Sequence, residues 1–219
     1  MEKGVVLLSG GMDSAVVAAI ASDECRMYFM HIDYGQRTEK KEREVFLLLV
    51  DHFRPEGHMI ISMPHFKKIG GSSLIDRSMS VPEGLSREGI PSTYVPFRNG
   101  NFLSAAVAWA EVIKALRVYI GATQEDSAGY PDCRQDFYRA FDKVIQKGTA
   151  RKDIKIITPL IRKKKSEIVK WGMALQAPLH LTWSCYKNDR VACGRCDSCL
   201  RRRRAFQEAG LEDPIPYSL

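Results

Sequence analysis

A short glycine-rich segment near the N-terminus constrains the fold of this chain more than any other feature. The segment Ser9-Gly10-Gly11-Met12-Asp13-Ser14 follows an apolar stretch, Gly4 to Leu8, and leads into apolar residues at helical spacing, Ser14 to Ala21. Two adjacent glycines allow a tight turn, and the amides that begin a helix lack acceptors within the helix. The segment therefore predicts a strand, a loop that binds phosphate through backbone amides, and a helix.

The loop does not match the commonest nucleotide-binding motifs. It lacks the Gly-Lys-Ser/Thr ending of a Walker loop and the spaced glycines of a dinucleotide fingerprint, which disfavours γ-phosphate hydrolysis and NAD binding. It resembles the Ser-Gly-Gly-x-Asp-Ser loop of the N-type ATP pyrophosphatases, a resemblance that implies cleavage of ATP to AMP and pyrophosphate. The alternative is a glycine turn in which Asp13 and Ser14 only start a helix. The predicted nucleotide contacts in this loop are Leu8, Ser9, Gly10, Gly11, Met12, Asp13, Ser14 and Ala15.

Two residues of this loop are also predicted to be catalytic. A carboxylate beside phosphates is repelled unless a cation lies between them, so we expect Asp13 to lie near Mg²⁺ or to orient the loop. Ser14 offers a hydroxyl donor at the start of the helix.

Short apolar segments alternate with segments of helical periodicity along the chain. Strands that alternate with helices form parallel sheets covered on both faces, so we predict an α/β fold with a doubly wound parallel sheet. The segment from Lys67 to Pro96 has no sustained period, which predicts a long functional loop or lid. The predicted strands are Gly4 to Leu8, Met27 to Asp33, His58 to Met63, Val118 to Gly121 and Lys155 to Pro159, and the predicted helices are Ser14 to Ala21, Glu39 to Phe53, Asn101 to Ala115, Asp136 to Gln146 and Lys165 to Leu175.

Four of the six cysteines, Cys185, Cys193, Cys196 and Cys199, fall within fifteen positions. Four thiolates in a short segment, with Gly194 allowing a tight turn, fit one tetrahedral zinc ion. Because the protein fills all four positions, we expect this zinc to be structural. An iron–sulfur cluster is the alternative. We predict two domains, a catalytic domain of residues 1–180 and a zinc-binding lobe of residues 181–219.

Two polar segments lie next to predicted elements, one after a strand and one before a helix. In parallel sheets, ligands bind at the edge where the strands end. Gln36 and Arg37 come after the second strand, which favours an adenine or phosphate contact over a polar turn with Gly35 at positive φ. Arg98 and Asn99 precede a helix and are predicted to contact phosphate or a purine edge, unless they only cap that helix. Arg98 is also predicted to be catalytic.

The segment between the fourth strand and the next helix combines acids, an aromatic ring and an arginine. Asp126 and Asp132 suit the N–H edge of a guanine-like base, Tyr130 offers a stacking face, and Arg134 could hold a carboxylate. A solvated acidic loop is the alternative. Among the lysines that begin the helix after Pro159, Lys164 or Lys165 is predicted to contact the transferred phosphate, and Lys164 is taken as the catalytic one.

The formal net charge of +7 favours anionic ligands without choosing among nucleotides, pyrophosphate and nucleic acid. The basic runs Arg162 to Lys165 and Arg201 to Arg204 are interpreted as solvated helix faces or ends, which makes nucleic-acid binding unlikely. The chain has no membrane-spanning run of apolar residues and no signal-peptide pattern, so a cytoplasmic protein is predicted.

In combination, these motifs resemble the 7-cyano-7-deazaguanine synthase family of queuosine precursor biosynthesis. The resemblance covers nearly the whole chain and rests on the order of the motifs. It implies an adenine nucleotide alpha hydrolase-like fold of the HUP type, structural zinc, Mg²⁺ with ATP, ammonia as nitrogen source, and a homodimer. The implied reaction adenylates the carboxylate of 7-carboxy-7-deazaguanine, forms the amide with ammonia, and dehydrates the amide to a nitrile. The supporting segments are Ser9 to Ser14, Asp33 to Arg37, Arg98-Asn99 with Phe102 to Ser104, Ser127 to Arg134, Thr182 to Tyr186 and Cys193 to Cys199.

Two positions depart from the pattern of that family. Thr38 stands where the family usually has a histidine, and Gln135 replaces a common proline. Two other functions remain as alternatives: a tRNA-modifying adenylating enzyme that uses the same type of loop, and a zinc-ribbon module in which Arg201 to Arg204 contact nucleic-acid phosphates.

Overall fold

A computed structural model places a five-stranded, fully parallel sheet at the centre of the protein. It describes residues 1–85 and 89–218, with only the backbone for Gln124, Ser127 and Ala128. The strand order is β3-β2-β1-β4-β5, so the chain reverses its direction of winding between β1 and β4. The strands are β1 Lys3–Leu7, β2 Arg26–Asp33, β3 Gly57–Ser62, β4 Arg117–Tyr119 and β5 Lys155–Ile157.

The alternation of side chains along β1 divides the apolar residues between the two faces of the sheet. Val6 belongs to a core that also contains Phe29 and the buried side of the first helix. Val5 and Leu7 point to the opposite face and join a second core. Because both faces of the sheet are covered, the strands appear in the sequence as continuous runs of apolar residues. The predicted doubly wound α/β fold and its five strands are confirmed.

Eight α-helices are described, and no helix in the described residues is both long and apolar enough to cross a membrane. Helix α1 is built of small apolar residues, and nine of its 13 residues are buried. Gly172 allows α7 to approach α1, since a Cβ there would lie 2.7 Å from Val16 Cγ2. The helices are α1 Met12–Glu24, α2 Glu39–Phe53, α3 His65–Ile69, α4 Arg98–Ile113, α5 Gln124–Gly129, α6 Gln135–Gly148, α7 Lys165–Ala174 and α8 Asp197–Ala209, with 3-10 turns at Pro131–Cys133 and Leu179–Leu181.

The five predicted helices are all present, but the sequence missed α3, α5 and α8. Helix α4 also begins earlier than predicted, at Arg98, because the Asp132 carboxylate accepts a hydrogen bond from Asn99 N in its first turn. Asn99 and Asp132 are 33 residues apart in the sequence, so local periodicity does not predict this contact.

The segment predicted as a long loop or lid packs against the body of the protein. Its first residues belong to α3. Ser73 is fully buried and its amide donates to Ser92 O, which joins the two ends of the segment. Leu74 and Val95 form an apolar cluster with Tyr34. Residues 86–88 lie outside the described residues, and closure of the segment over a ligand stays a prediction.

The C-terminal segment shares one apolar core with the rest of the chain. The core that contains Val6 also contains the four clustered cysteines and Phe206 of α8. The predicted boundary between residues 1–180 and 181–219 stays a prediction, and no separate core for the second part is seen among the described residues.

The interpretation of the basic run in α8 as a solvated face is wrong for Arg202, whose exposed fraction is 2%. Its guanidinium donates to both carboxylate oxygens of Asp213, at 2.9 to 3.1 Å, and also to Thr182 Oγ1 and Leu179 O. Tyr217 donates to the same carboxylate at 2.5 Å. Arg202 therefore fastens both α8 and the C-terminal segment to the 3-10 turn before the cysteines.

We predict that Arg202→Met lowers the free energy of unfolding by about 3–5 kcal/mol, because it leaves the Asp213 carboxylate buried without its counter-ion. Urea denaturation measures the change. In the control Arg204→Met, which alters an exposed ion pair with Glu208, we expect the urea midpoint to stay the same. A second variant, Arg202→Met with Asp213→Leu, should recover part of the loss. Equal stability of Arg202→Met and the wild type would contradict the assignment.

Candidate active site and metal centre

A cavity of about 260 Å³ lies at the carboxyl edge of β1, β2 and β4. This edge is where strand order reverses and where parallel sheets bind their ligands. The loop after β1 forms one side of the cavity. The segment from Thr93 to Asn99, α5 and the residues before the cysteines form the others.

The glycine-rich loop adopts the geometry expected of a phosphate-binding loop. Gly10 has φ of +88°, and a Cβ there would lie 3.1 Å from Val45 Cγ1 of α2. Ser14 Oγ donates to Gly11 O at 2.9 Å and lies 3.1 Å from Ser9 Oγ. Helix α1 begins at Met12, so the amides of its first turn have no acceptor within the helix. The loop thus directs backbone donors and two hydroxyls toward the cavity.

An ion pair joins this loop to α7. Lys165 Nζ lies 2.6 Å from Asp13 Oδ2 and 3.4 Å from Asp126 Oδ2, and its side chain is 10% exposed. Burial raises the pKa of Asp13, and the charge of Lys165 opposes that rise. The second oxygen, Asp13 Oδ1, is buried and has no hydrogen-bond partner in the part of the chain that the structure describes. A carboxylate oxygen in that state is suited to a cation.

The geometry favours Lys165 rather than Lys164 as the lysine of the site. Lys164 is exposed at the N-cap of α7, where its amide donates to Glu167 Oε2 at 2.9 Å. Lys165 lies three and four residues before Ile168 and Val169 and shares their buried face. That spacing is present in the sequence, and it distinguishes the two lysines between which the sequence analysis left the choice open.

Aromatic side chains line the part of the cavity opposite the phosphate loop. Arg98 NH1 donates to Tyr34 Oη at 3.1 Å, and its guanidinium lies over the rings of Tyr34 and Phe102 at 5.4 and 5.7 Å. The rings of Tyr94 and Tyr130 lie 5.9 Å apart with an angle of 31° between their planes. Flat apolar surfaces with one arginine suit a planar, acidic ligand.

Asp132 and Asn99 lie together at the start of α4. Asn99 N donates to Asp132 Oδ2 at 2.8 Å, and Asn99 Nδ2 lies 3.2 Å from both Asp132 O and Cys133 Sγ. All three residues line the cavity, yet these contacts also hold α4 to the 3-10 turn. Burial raises the pKa of the Cys133 thiol to about 12, which disfavours Cys133 as a nucleophile.

Six predicted contact residues lie outside the cavity lining: Gly10, Ala15, Gln36, Arg37, Arg134 and Lys164. Arg134 is exposed and outside the cavity lining. Gln36 donates to Glu42 Oε2 and accepts from Tyr34 N, beneath the lining. Arg37 donates to the carbonyl oxygens of Ser73, Asp76 and Met79, so it fixes the loop that carries Leu74. The motif lies at a strand end as predicted, and the positive φ of Gly35 is the feature of the alternative interpretation, a polar turn.

The four clustered cysteines form a site of the size that one metal ion requires. Their Sγ atoms all lie within 4.8 Å of one another, and all four side chains are buried. For tetrahedral zinc with Zn–S bonds of about 2.3 Å, S–S separations of about 3.8 Å are expected. Amides of Lys187, Asn188 and Cys193 approach Cys185 Sγ at 3.3 to 3.4 Å. Four buried thiols with amide donors around them fit a thiolate-bound metal ion such as zinc.

The metal centre is connected to the cavity by short stretches of chain. Trp183 N donates to Gly10 O in the phosphate loop at 2.9 Å, and Cys185 itself lines the cavity. From α8, Arg201 donates to Glu125 Oε2 at 3.3 Å, and Glu125 Oε1 accepts from the amide of Lys165. A metal ion bound by the cysteines would therefore fix one wall of the cavity.

Comparisons with known proteins agree with this geometry. The family model described as queuosine biosynthesis protein QueC matches residues 3–210. A protein from Chlorobaculum parvum named 7-cyano-7-deazaguanine synthase is 53% identical over 220 residues, which cover 99% of this chain and 97% of that protein. A protein of the same name from Chlorobium phaeobacteroides is 55% identical, covering 98% and 96%.

Among solved structures, NMN synthetase from Francisella tularensis superposes with a TM-score of 0.51 at 16% identity, covering 96% of this chain and 78% of that chain. At this identity the likeness shows the shared fold alone, and it agrees with the parallel sheet described above. Because the family model spans almost the whole sequence and the relatives are more than half identical over nearly their full length, this chain belongs to the queuosine biosynthesis protein QueC family.

Proposed function

We propose that this protein converts 7-carboxy-7-deazaguanine and ammonia to 7-cyano-7-deazaguanine while splitting ATP into AMP and pyrophosphate. The observation that carries the proposal is one cavity that joins a phosphate-binding loop to an aromatic compartment containing Arg98. The names of the relatives agree with this reaction. The chemistry requires adenylation, because a carboxylate cannot lose oxide, whereas an acyl-adenylate loses AMP.

The loop residues Ser9 to Ser14 are proposed to hold the phosphates of ATP. The amides at the start of α1, with Ser9 and Ser14, stabilise the negative charge that pyrophosphate acquires as it leaves. Lys165 adds a positive charge on a side chain that is only 10% exposed, and a buried charge interacts more strongly than one in bulk solvent. These groups already lie in place before ATP binds, so the reaction requires less reorganisation of the protein.

Asp13 is proposed to bind Mg²⁺ that accompanies ATP, because Asp13 Oδ1 is buried and has no other partner. A divalent ion there would offset the repulsion between the carboxylate and the phosphates. Lys165 keeps the second oxygen of Asp13 in place.

The deazaguanine ring is proposed to bind against Tyr94 and Tyr130, with its carboxylate directed toward Arg98 and the phosphate loop. Asp126 and Asp132, both in the cavity wall, are the proposed acceptors for the N–H edge of the base. Arg134 was predicted to hold the carboxylate, and its exposed position outside the cavity lining supports Arg98 for that contact instead.

The four cysteines are proposed to bind one structural zinc ion per chain. Cys196 and Cys199 lie at the N-terminal end of α8, where the helix favours negatively charged thiolates. A homodimer and a cytoplasmic location stay predictions from the sequence, and sedimentation at several protein concentrations tests the first.

The decisive experiment supplies the protein with ATP, Mg²⁺, ammonium and 7-carboxy-7-deazaguanine and identifies the products by mass spectrometry. We expect 7-cyano-7-deazaguanine, AMP and pyrophosphate. Formation of ADP and orthophosphate, or no reaction with this acid, would refute the proposal.

We predict that Lys165→Met lowers the rate of ATP–pyrophosphate exchange by at least about 10²-fold, because it removes a preorganised cation beside the phosphates. The matched control is Lys164→Met, one residue away and exposed, for which exchange should be unchanged. A thermal melt of each variant shows whether it is folded. The reverse ranking of the two variants would restore Lys164 as the catalytic lysine.

We predict that Cys199→Ser lowers the bound zinc, measured by elemental analysis, well below one ion per chain and also lowers the melting temperature, because one of four thiolates is lost. Cys25→Ala, which changes a buried cysteine outside the cluster, should retain one zinc ion. A brown protein with iron instead of zinc would show that the site holds an iron–sulfur cluster.

A further inference from the structure

The reaction releases a proton from nitrogen, and the structure offers four carboxylates in the cavity wall to accept it. When ammonia attacks the acyl-adenylate, a C–N bond forms, the C–O bond to AMP breaks, the electron pair leaves with AMP, and nitrogen loses one proton. A base in contact with that nitrogen accelerates such a step. The carboxylates in the lining are Asp13, Glu42, Asp126 and Asp132.

Three of these carboxylates already have charged or backbone donors. Asp13 and Asp126 both pair with Lys165 Nζ, at 2.6 and 3.4 Å. Asp132 accepts from the amide of Asn99 at the start of α4. To accept a proton, each of these three carboxylates would have to give up a strong hydrogen bond or ion pair. Asp13 and Asp126 also lie where phosphates and Mg²⁺ are proposed to bind.

Glu42 is held differently. Glu42 Oε1 accepts from Thr38 Oγ1 at 2.8 Å, and Glu42 Oε2 accepts from Gln36 Nε2 at 3.0 Å. Both donors are neutral, and among the described residues no cationic nitrogen forms an ion pair with this carboxylate. Each oxygen keeps a second lone pair for another ligand.

Glu42 lies on the side of α2 that packs against the rest of the protein. Glu42 lies three and four residues before Val45 and Phe46, so it shares the buried face of α2. The carbonyl oxygen of Glu42 would lie 3.2 Å from a Cβ at Gly10, which brings the first turn of α2 against the phosphate loop. Tyr34, Arg98 and His31 are the titratable or charged groups around it.

The environment of the Glu42 carboxylate favours its role as a proton acceptor. Burial raises the pKa of Glu42, while the hydrogen bond from Thr38 and the nearby His31 oppose that rise. A carboxyl group with a raised pKa accepts a proton from nitrogen more readily than an exposed one.

We propose that Glu42 is the general base that accepts a proton from the ammonia nitrogen during amide formation. This inference rests on the proposed function. It assigns a catalytic role to a residue outside the recognised loop and outside the motif Asp33 to Arg37. It also gives Thr38 a role, since the hydroxyl of Thr38 orients the carboxylate.

The test compares two reactions of Glu42→Gln. ATP–pyrophosphate exchange with 7-carboxy-7-deazaguanine requires only adenylation and no N–H proton, so it should remain within about twofold of the wild type. Amide and nitrile formation from ammonium should fall by about 10²-fold or more. Hydroxylamine, which is largely unprotonated at neutral pH and more reactive, should restore acyl transfer to nitrogen more than ammonium does.

Two variants separate the carboxylate from its surroundings. Glu44→Gln removes an exposed carboxylate of the same helix and should leave both reactions unchanged. Thr38→Val removes an orienting donor but keeps the Glu42 carboxylate, so amide formation should fall less than in Glu42→Gln. Parallel loss of exchange and amide formation in Glu42→Gln would overturn the proposal in favour of a role in ATP binding, and unchanged amide formation would overturn it outright. Absence of exchange in the wild type would instead refute the proposed function.

Discussion

The ion pair between Lys165 and Asp13 holds together the two halves of the catalytic side of this protein. Asp13 lies in the loop after the central strand, whereas Lys165 begins a helix 152 residues later. Buried charges are stable only when they are paired and hydrogen-bonded. Since Lys165 also contacts Asp126, one ammonium group fixes the phosphate loop, α5 and α7 in a single arrangement. The geometry of the cavity depends on this arrangement.

A second buried cation connects separate segments of the chain next to the cysteines. Arg202 joins α8, the C-terminal segment and the turn that precedes Trp183. The cysteines fix the other end of the same stretch, which contributes a wall of the cavity. A metal ion held by these cysteines would therefore act through the position of the wall, and no described contact gives the cysteines a direct part in the chemistry.

Three charged residues that the sequence analysis did not assign to the interior share one physical property. Lys165, Glu42 and Arg202 each lie three and four residues before two buried, mostly apolar positions of the same helix. Helical periodicity thus marks them as inward-facing, even though their charge suggests an exposed surface. Lys164, the residue first predicted to be catalytic, fails this criterion and is exposed.

The sequence by itself determined the parallel sheet, the phosphate loop and the set of four cysteines, because each depends on residues that are close in sequence or on strand and helix periodicity. Only the tertiary structure decided which polar residues meet in the cavity. Gln36 and Arg37 lie at the correct edge of the sheet yet bond to Glu42 and to the loop around Ser73. Gln36 and Glu42 are only six residues apart, but the Arg37 contacts join residues 36 to 42 positions apart, so packing sets those contacts and local sequence pattern does not.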